Sequence, residues 1–169
     1  NPGLVVKEPK TDYLAHMAKI IELCKKYEEV PLSVMVTESE PEKMLVQAKE
    51  FASKLIYSNL VIKIPIGWEE VNVMKELEKN NIRVNCTCLM TPSQTLLGMQ
   101  AKPRYLSIFY NQIKDVGGDP ARVIKESRQI LQGTGSTGIE IIVGSIRHFS
   151  EIAESFLAGA DIVTAPPDV

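Results

Sequence analysis

A lysine stands inside an otherwise apolar run, Leu60-Val61-Ile62-Lys63-Ile64-Pro65-Ile66. If that run is a strand buried in a barrel interior, the ammonium is poorly solvated, its charged form is disfavoured and its pKa falls. The neutral amine is then a nucleophile able to condense with a carbonyl and form a Schiff base. The competing reading puts Lys63 at a sheet edge or strand end with its head in water, and local sequence leaves both open. The following run, Val84-Asn85-Cys86-Thr87-Cys88-Leu89, alternates polar side chains with cysteines. At the strand period Asn85 and Thr87 share one face, and Cys86 and Cys88 the other. Facing an interior, Asn85 and Thr87 can hydrogen-bond a polyol or position a water; in a packed core they are a satisfied polar pair. Cys86 and Cys88 read as small apolar groups under the helices, because no second Cys/His pair with ligand spacing accompanies them. No metal site is expected.

Further along, Val143, Ser145 and Arg147 are expected to share a face at the end of a strand. A serine and an arginine there, with backbone amides nearby, supply the donors and the bidentate cation that a phosphate monoester needs. A surface arginine in a turn is the alternative. The glycine-rich stretch 133–138 lacks the Lys-Ser/Thr of a P-loop and precedes a strand rather than a helix, so it reads as a flexible connection. His16 and His148 sit in unrelated contexts, which supports neither a metal centre nor a Ser-His-Asp arrangement.

These side chains need elements to hold them. Short β-branched runs at residues 32–37, 60–66, 83–89, 105–109, 139–145 and 162–165 predict six strands, most of them apolar enough to be buried on both faces. Helical stripes cover 11–29 and 41–57, and the Thr91-Pro92 and Asp119-Pro120 pairs each supply an N-cap followed by proline at the first helical position. A further helix begins near Ser150 and ends at Leu157-Ala158-Gly159. Alternating strands and helices without a linker predict one α/β domain over residues 1–169 with a parallel sheet. The absence of any Gly-x-Gly-x-x-Gly turn after a strand, and the polar residues near strand C-termini, favour a (β/α)8 TIM barrel over an open doubly wound sheet. With about six strands present, that barrel is expected to be incomplete at both ends of this chain.

The chain has 169 residues, 44% of them apolar, and a net charge of −2. No strong field draws nucleic acid or anionic lipid, and no apolar run is long enough to cross a bilayer. Three cysteines, an odd number, suit a reducing, cytoplasmic setting better than a disulfide framework. No signal peptide is expected from the opening Asn1-Pro2-Gly3.

Taken together, the segments Val61-Ile62-Lys63-Ile64-Pro65, Ile82-Arg83-Val84-Asn85-Cys86-Thr87, the stretch from Ala101 through Phe109, Gly144-Ser145-Ile146-Arg147 and the stretch from Ala158 through Pro166 resemble the small bacterial transaldolase and fructose-6-phosphate aldolase family. The resemblance implies a (β/α)8 barrel acting on sugar phosphates through a lysine imine, with no metal or organic cofactor and with a ring-shaped homo-oligomer. It implies Lys63 as the Schiff-base lysine, Asn1 and Asn85 as holders of substrate hydroxyls, and Thr87 as a positioner of the catalytic water. Ser145 and Arg147 match its phosphate-end motif. Phe109 falls beside the reacting carbon, where phenylalanine looks more like the transaldolase branch and tyrosine like the free aldolases.

Three departures accompany the match. The family's first-strand aspartate, an acid/base, would precede this chain. Its water-orienting Glu/Gln corresponds to Met35, which cannot accept a proton. Its arginine after the sixth-strand aromatic corresponds to Gln112, and a lost charge-assisted phosphate contact costs about 1.5–3 kcal/mol. The expected function is a transaldolase-like class I aldolase, with a non-catalytic or degenerate sugar-phosphate binding member as the alternative.

Overall fold

The computed structural model describes residues 12–27 and 30–169. Six strands, β1 (Leu32–Met35), β2 (Leu60–Pro65), β3 (Val84–Leu89), β4 (Tyr105–Phe109), β5 (Glu140–Gly144) and β6 (Ile162–Val163), form one sheet in sequence order. Every neighbouring pair is parallel. Parallel crossovers are right-handed, so an order that never reverses sends every connecting helix to the same face. The opposite face must then curl on itself, and the result is a half-barrel of the (β/α)8 type, as the sequence predicts.

Alternation along the strands sorts the two faces. Val34, Ile62, Ile64, Val84, Cys86, Leu106, Ile108, Ile141 and Val143 are fully buried and face the helix layer. The other parity, with Ser33, Lys63, Asn85, Thr87 and Ser107, turns toward the concave side.

The helices are α1 (Tyr13–Lys26), α2 (Pro41–Lys54), α3 (Glu70–Lys79), α4 (Pro92–Gly98), α5 (Tyr110–Asp115), α6 (Pro120–Gly133) and α7 (Phe149–Ala158). Their starts follow from capping chemistry. Asp12 accepts from the Ala15 amide and Asp119 from the Arg122 amide, while Thr91 and Gln94 close a capping box before α4. Gly159 ends α7 in the left-handed region at φ 111°, where only glycine is unstrained. At Gly98 a Cβ would meet Cys86 Sγ at 3.0 Å and Leu106 Cδ2 at 3.1 Å, so its absence lets α4 lie close on the sheet.

Two sequence expectations fail locally. α5 is not foreshadowed, because its single turn and a half is too short to show a helical period. The alternation of β3 also breaks: its register with β4 shifts between Cys86 and Leu89, and Cys88 has φ +65°. That bulge returns Leu89 to the core and moves Cys88 off the helix-facing side. Cys86 is the buried apolar thiol expected, whereas Cys88 is not packed under a helix.

Candidate active site

β2 places Lys63 on the concave face, in register with Met35 of β1 and Asn85 of β3. The side chain is half-buried and makes no ion pair or hydrogen bond with the described residues. Burial pulls its pKa below the ordinary lysine value, and the nearby Cys88 thiol offsets this only in part. Cys88 is itself pushed up by burial and drawn back by the Lys63 charge, so the bulge brings the two groups into electrostatic range. An amine with no carboxylate partner and a depressed pKa keeps more of its population neutral at a given pH than a surface lysine does.

Asn85 is buried and held on both sides. Its Nδ2 donates to Ser33 Oγ at 3.0 Å, and its Oδ1 accepts from Ser107 Oγ at 2.7 Å. This chain of three side chains, from β1, β3 and β4, fixes the amide orientation and leaves one Nδ2 hydrogen free for a further acceptor. Thr87, two residues along the same face, is fully buried, and its Oγ1 makes no hydrogen bond of good geometry among the described residues, lying only close enough to the Cys88 thiol to favour its charged form. Phe109 ends β4 on the same parity as Ser107 and is half-buried. Lys63, Asn85, Thr87 and Phe109 therefore share the concave face of three adjacent strands, with Lys63 and Asn85 side by side and Phe109 at the C-terminal end of β4. Asn1 lies outside the described residues.

The turn after β5 departs from the expected alternation. β5 ends at Gly144, and Ser145 adopts φ +61°, a left-handed conformation that strains a residue with a Cβ. Val143 therefore stays in the helix-facing core while Ser145 and Arg147 project from the turn, and the three do not share a face. The turn is fastened from two directions. Asn111 on α5 donates through Nδ2 to the Ser145 carbonyl at 2.7 Å and to Glu151 Oε2 at 2.7 Å. Glu151 Oε2 also accepts from the amides of Arg147 at 2.9 Å and His148 at 3.1 Å, while Oε1 accepts from Lys114 Nζ at 3.2 Å. Burial alone would raise this carboxyl. The Arg147 amide, Asn111, the His148 amide and Lys114 outweigh it and hold the pKa at about 2.

Arg147 itself is exposed and forms a two-pronged pair with Asp115, at 2.7 and 2.6 Å. Its guanidinium points to solvent at the end of a strand, as a phosphate contact requires, but it already has an anionic partner. Gln112, where arginine is expected from the resemblance, is half-buried with Oε1 unpartnered among the described residues, and it adds no charge.

Sequence reasoning missed four of these residues. Ser107 was legible in principle, since it shares the strand period with Phe109. Ser33 carries no local signal beyond its strand. Glu151 and Asn111 declare themselves only when α5 and α7 pack beside the turn. Among the described residues no group of three His, Cys, Asp or Glu side chains could hold a metal ion, and no helix is long and apolar enough to cross a membrane.

The chain is similar to known proteins over nearly its whole length. A family model described as transaldolase/fructose-6-phosphate aldolase matches residues 4–169. A probable transaldolase of Methanococcus maripaludis is 37% identical over 171 residues, covering 100% of this chain and 75% of that protein. A probable transaldolase of Chlorobium phaeobacteroides is 34% identical over 176 residues, covering 100% and 76%. One from Lactiplantibacillus plantarum is 34% identical over 169 residues, covering 100% and 74%.

Proposed function

The chain belongs to the transaldolase/fructose-6-phosphate aldolase family, and from that premise we propose that it is a class I aldolase of the transaldolase type, working on ketose phosphates through Lys63. The observation that carries the reading is a desolvated amine, unpaired among the described residues, on the concave face of a parallel sheet beside a pinned amide and a buried hydroxyl.

The Lys63 nitrogen adds to the ketose carbonyl carbon, and the carbinolamine loses water to give a protonated imine. The imine accepts the electron pair of the adjacent breaking C–C bond, the hydroxyl proton of the departing half goes to a base, and an aldose phosphate leaves. The three-carbon enamine then adds to an acceptor aldehyde, whose oxygen takes up the proton, or is itself protonated on carbon; in either case water hydrolyses the resulting imine and returns the free amine. The protonated imine is the electron sink, so no metal or organic cofactor enters the scheme.

Asn85 offers its free Nδ2 hydrogen to a substrate hydroxyl. Thr87 Oγ1 holds the water that forms and cleaves the imine, alone in this task because Met35 replaces the family's Glu/Gln. Phe109 walls the reacting carbon, Ser145 and Arg147 take the phosphate, and Asn1 contributes a second hydroxyl contact. The protein would act as a single domain over residues 1–169, in the cytoplasm and as a homo-oligomer, with sugar phosphates rather than nucleic acid or membrane as partners.

Met35 and Gln112 favour a second reading, a sugar-phosphate binding protein that has lost turnover. Fructose 6-phosphate with an acceptor aldose phosphate separates the two. Transfer of the three-carbon unit by the parent protein, abolished in Lys63→Met, supports the enzyme. Saturable binding of fructose 6-phosphate without any product leaves the binding protein.

A further inference from the structure

Ser145 and Arg147 can meet a phosphate only if the turn that carries them is held, and within residues 145–148 the one cap is that of His148, which itself closes on Glu151. Ser145 occupies a left-handed backbone conformation that a residue with a side chain adopts at a cost. The amides of Arg147 and His148 are donors at the start of α7, where an anion is favoured by the helix dipole. In a bare turn they would be free to reach the ligand. Here they are already taken, both by one oxygen of Glu151, whose side chain is 2% exposed.

Asn111 ties the same oxygen to the Ser145 carbonyl, so one buried carboxylate and one buried amide fasten the turn at residues 145, 147 and 148. Two consequences follow. The ligand phosphate cannot use the Arg147 and His148 amides, and the side-chain donors of the turn left to it are the Ser145 hydroxyl and the Arg147 guanidinium. The direction of both side chains is set by a residue that never touches the ligand.

We propose that Glu151 is a positioning residue for the phosphate end of the site, fixing the Ser145–Arg147 turn from beneath with Asn111 as its link to α5. The inference rests on the reading of Ser145 and Arg147 as phosphate ligands. Lys114 balances the Glu151 charge at 3.2 Å, and Asp115 balances Arg147. The four side chains sum to zero, so affinity depends on geometry rather than on a positive field.

The test compares fructose 6-phosphate with dihydroxyacetone, which carries no phosphate. Each is titrated against the parent protein, Glu151→Gln and Asn111→Ala, borohydride is added, and the fraction of Lys63 reduced to a stable secondary amine is read by mass spectrometry. Thermal unfolding is recorded for each variant. In the parent, fructose 6-phosphate should half-saturate trapping at lower concentration than dihydroxyacetone. In Glu151→Gln the fructose 6-phosphate midpoint should rise about 5–30-fold, as for the loss of one or two good contacts. The dihydroxyacetone midpoint should stay within about twofold.

Asn111→Ala, which keeps the carboxylate, should show the same phosphate-selective rise on a smaller scale, and it decides the matter if Glu151→Gln does not fold. Equal shifts for both ketones, or no shift in a folded variant, would overturn the positioning role while leaving the phosphate reading intact. A parent that traps both ketones alike would overturn the phosphate reading, and this inference with it.

Discussion

The two ends of the candidate site are built on opposite principles. At the lysine end, potential partners are withheld: among the described residues Lys63 has no carboxylate and Thr87 Oγ1 makes no full hydrogen bond, and Met35 stands beside Lys63 in register. At the turn after β5 partners are in surplus, with four donors on Glu151 and a two-pronged anion on Arg147. A reacting group must stay available to substrate, so leaving it unsatisfied is a cost in stability accepted for chemistry. An anchoring group must not move, so its surroundings are over-determined. Stability and activity should therefore separate between the two ends, and substitutions can show whether they do.

The largest separation is expected at Lys63. Lys63→Met should abolish three-carbon transfer yet leave the unfolding temperature unchanged or higher, because it removes a desolvated amine that has no partner. A clear loss of stability would mean the amine is held by a contact and is not waiting for a substrate.

Glu151→Ala should do the reverse to the fold. It orphans the Arg147 and His148 amides, leaves Asn111 with only its Ser145 bond and Lys114 without its anion, and should cost about 3 kcal/mol in a denaturant titration. The same carboxylate gives an acid signature. Its folded pKa, about 2, lies below the ordinary 4.5, so its contribution is full above pH 4.5 and disappears as pH falls toward 2. The parent should therefore lose more stability across that window than Glu151→Ala, and parallel curves would count against the network.

Thr87→Val tests the lysine end more gently. The shape is kept and an unpaired buried hydroxyl is removed, so stability should change by less than about 1 kcal/mol while turnover falls about 10–100-fold. Unchanged turnover would deny Thr87 its water. The smallest effect is expected from Met35→Glu. A carboxylate in register with Lys63 favours the ammonium, so the pH at which trapping reaches half its maximal rate should move upward, by about one or two units. An unchanged midpoint would show that the side chain at position 35 does not neighbour the amine.

Much of this was legible in the chain itself, for reasons specific to each residue. A lysine in an apolar strand is costly enough to be conspicuous, and the period of two put Asn85 and Thr87 on its face. Proline after Thr91 and Asp119 marked helix starts that capping geometry then enforced. Cys88 escaped the same rule because a bulge is invisible to a parity argument: one extra residue reverses every face beyond it. Ser145 escaped for a related reason, its left-handed backbone ending the alternation one residue early. Glu151 looked like any first-turn glutamate. Its burial depends on α5, a helix of six residues too short to announce itself, and on Asn111, 40 positions away.

The reduced adduct tests the central claim most directly. The protein is incubated with dihydroxyacetone and borohydride at neutral pH, digested, and its lysine peptides are mapped by mass spectrometry. The three-carbon unit should appear on the peptide carrying Lys63 and on no peptide bearing a surface lysine such as Lys25 or Lys54. An unmodified Lys63 under conditions that label an authentic class I aldolase, or labelling spread evenly over the surface lysines, would contradict it.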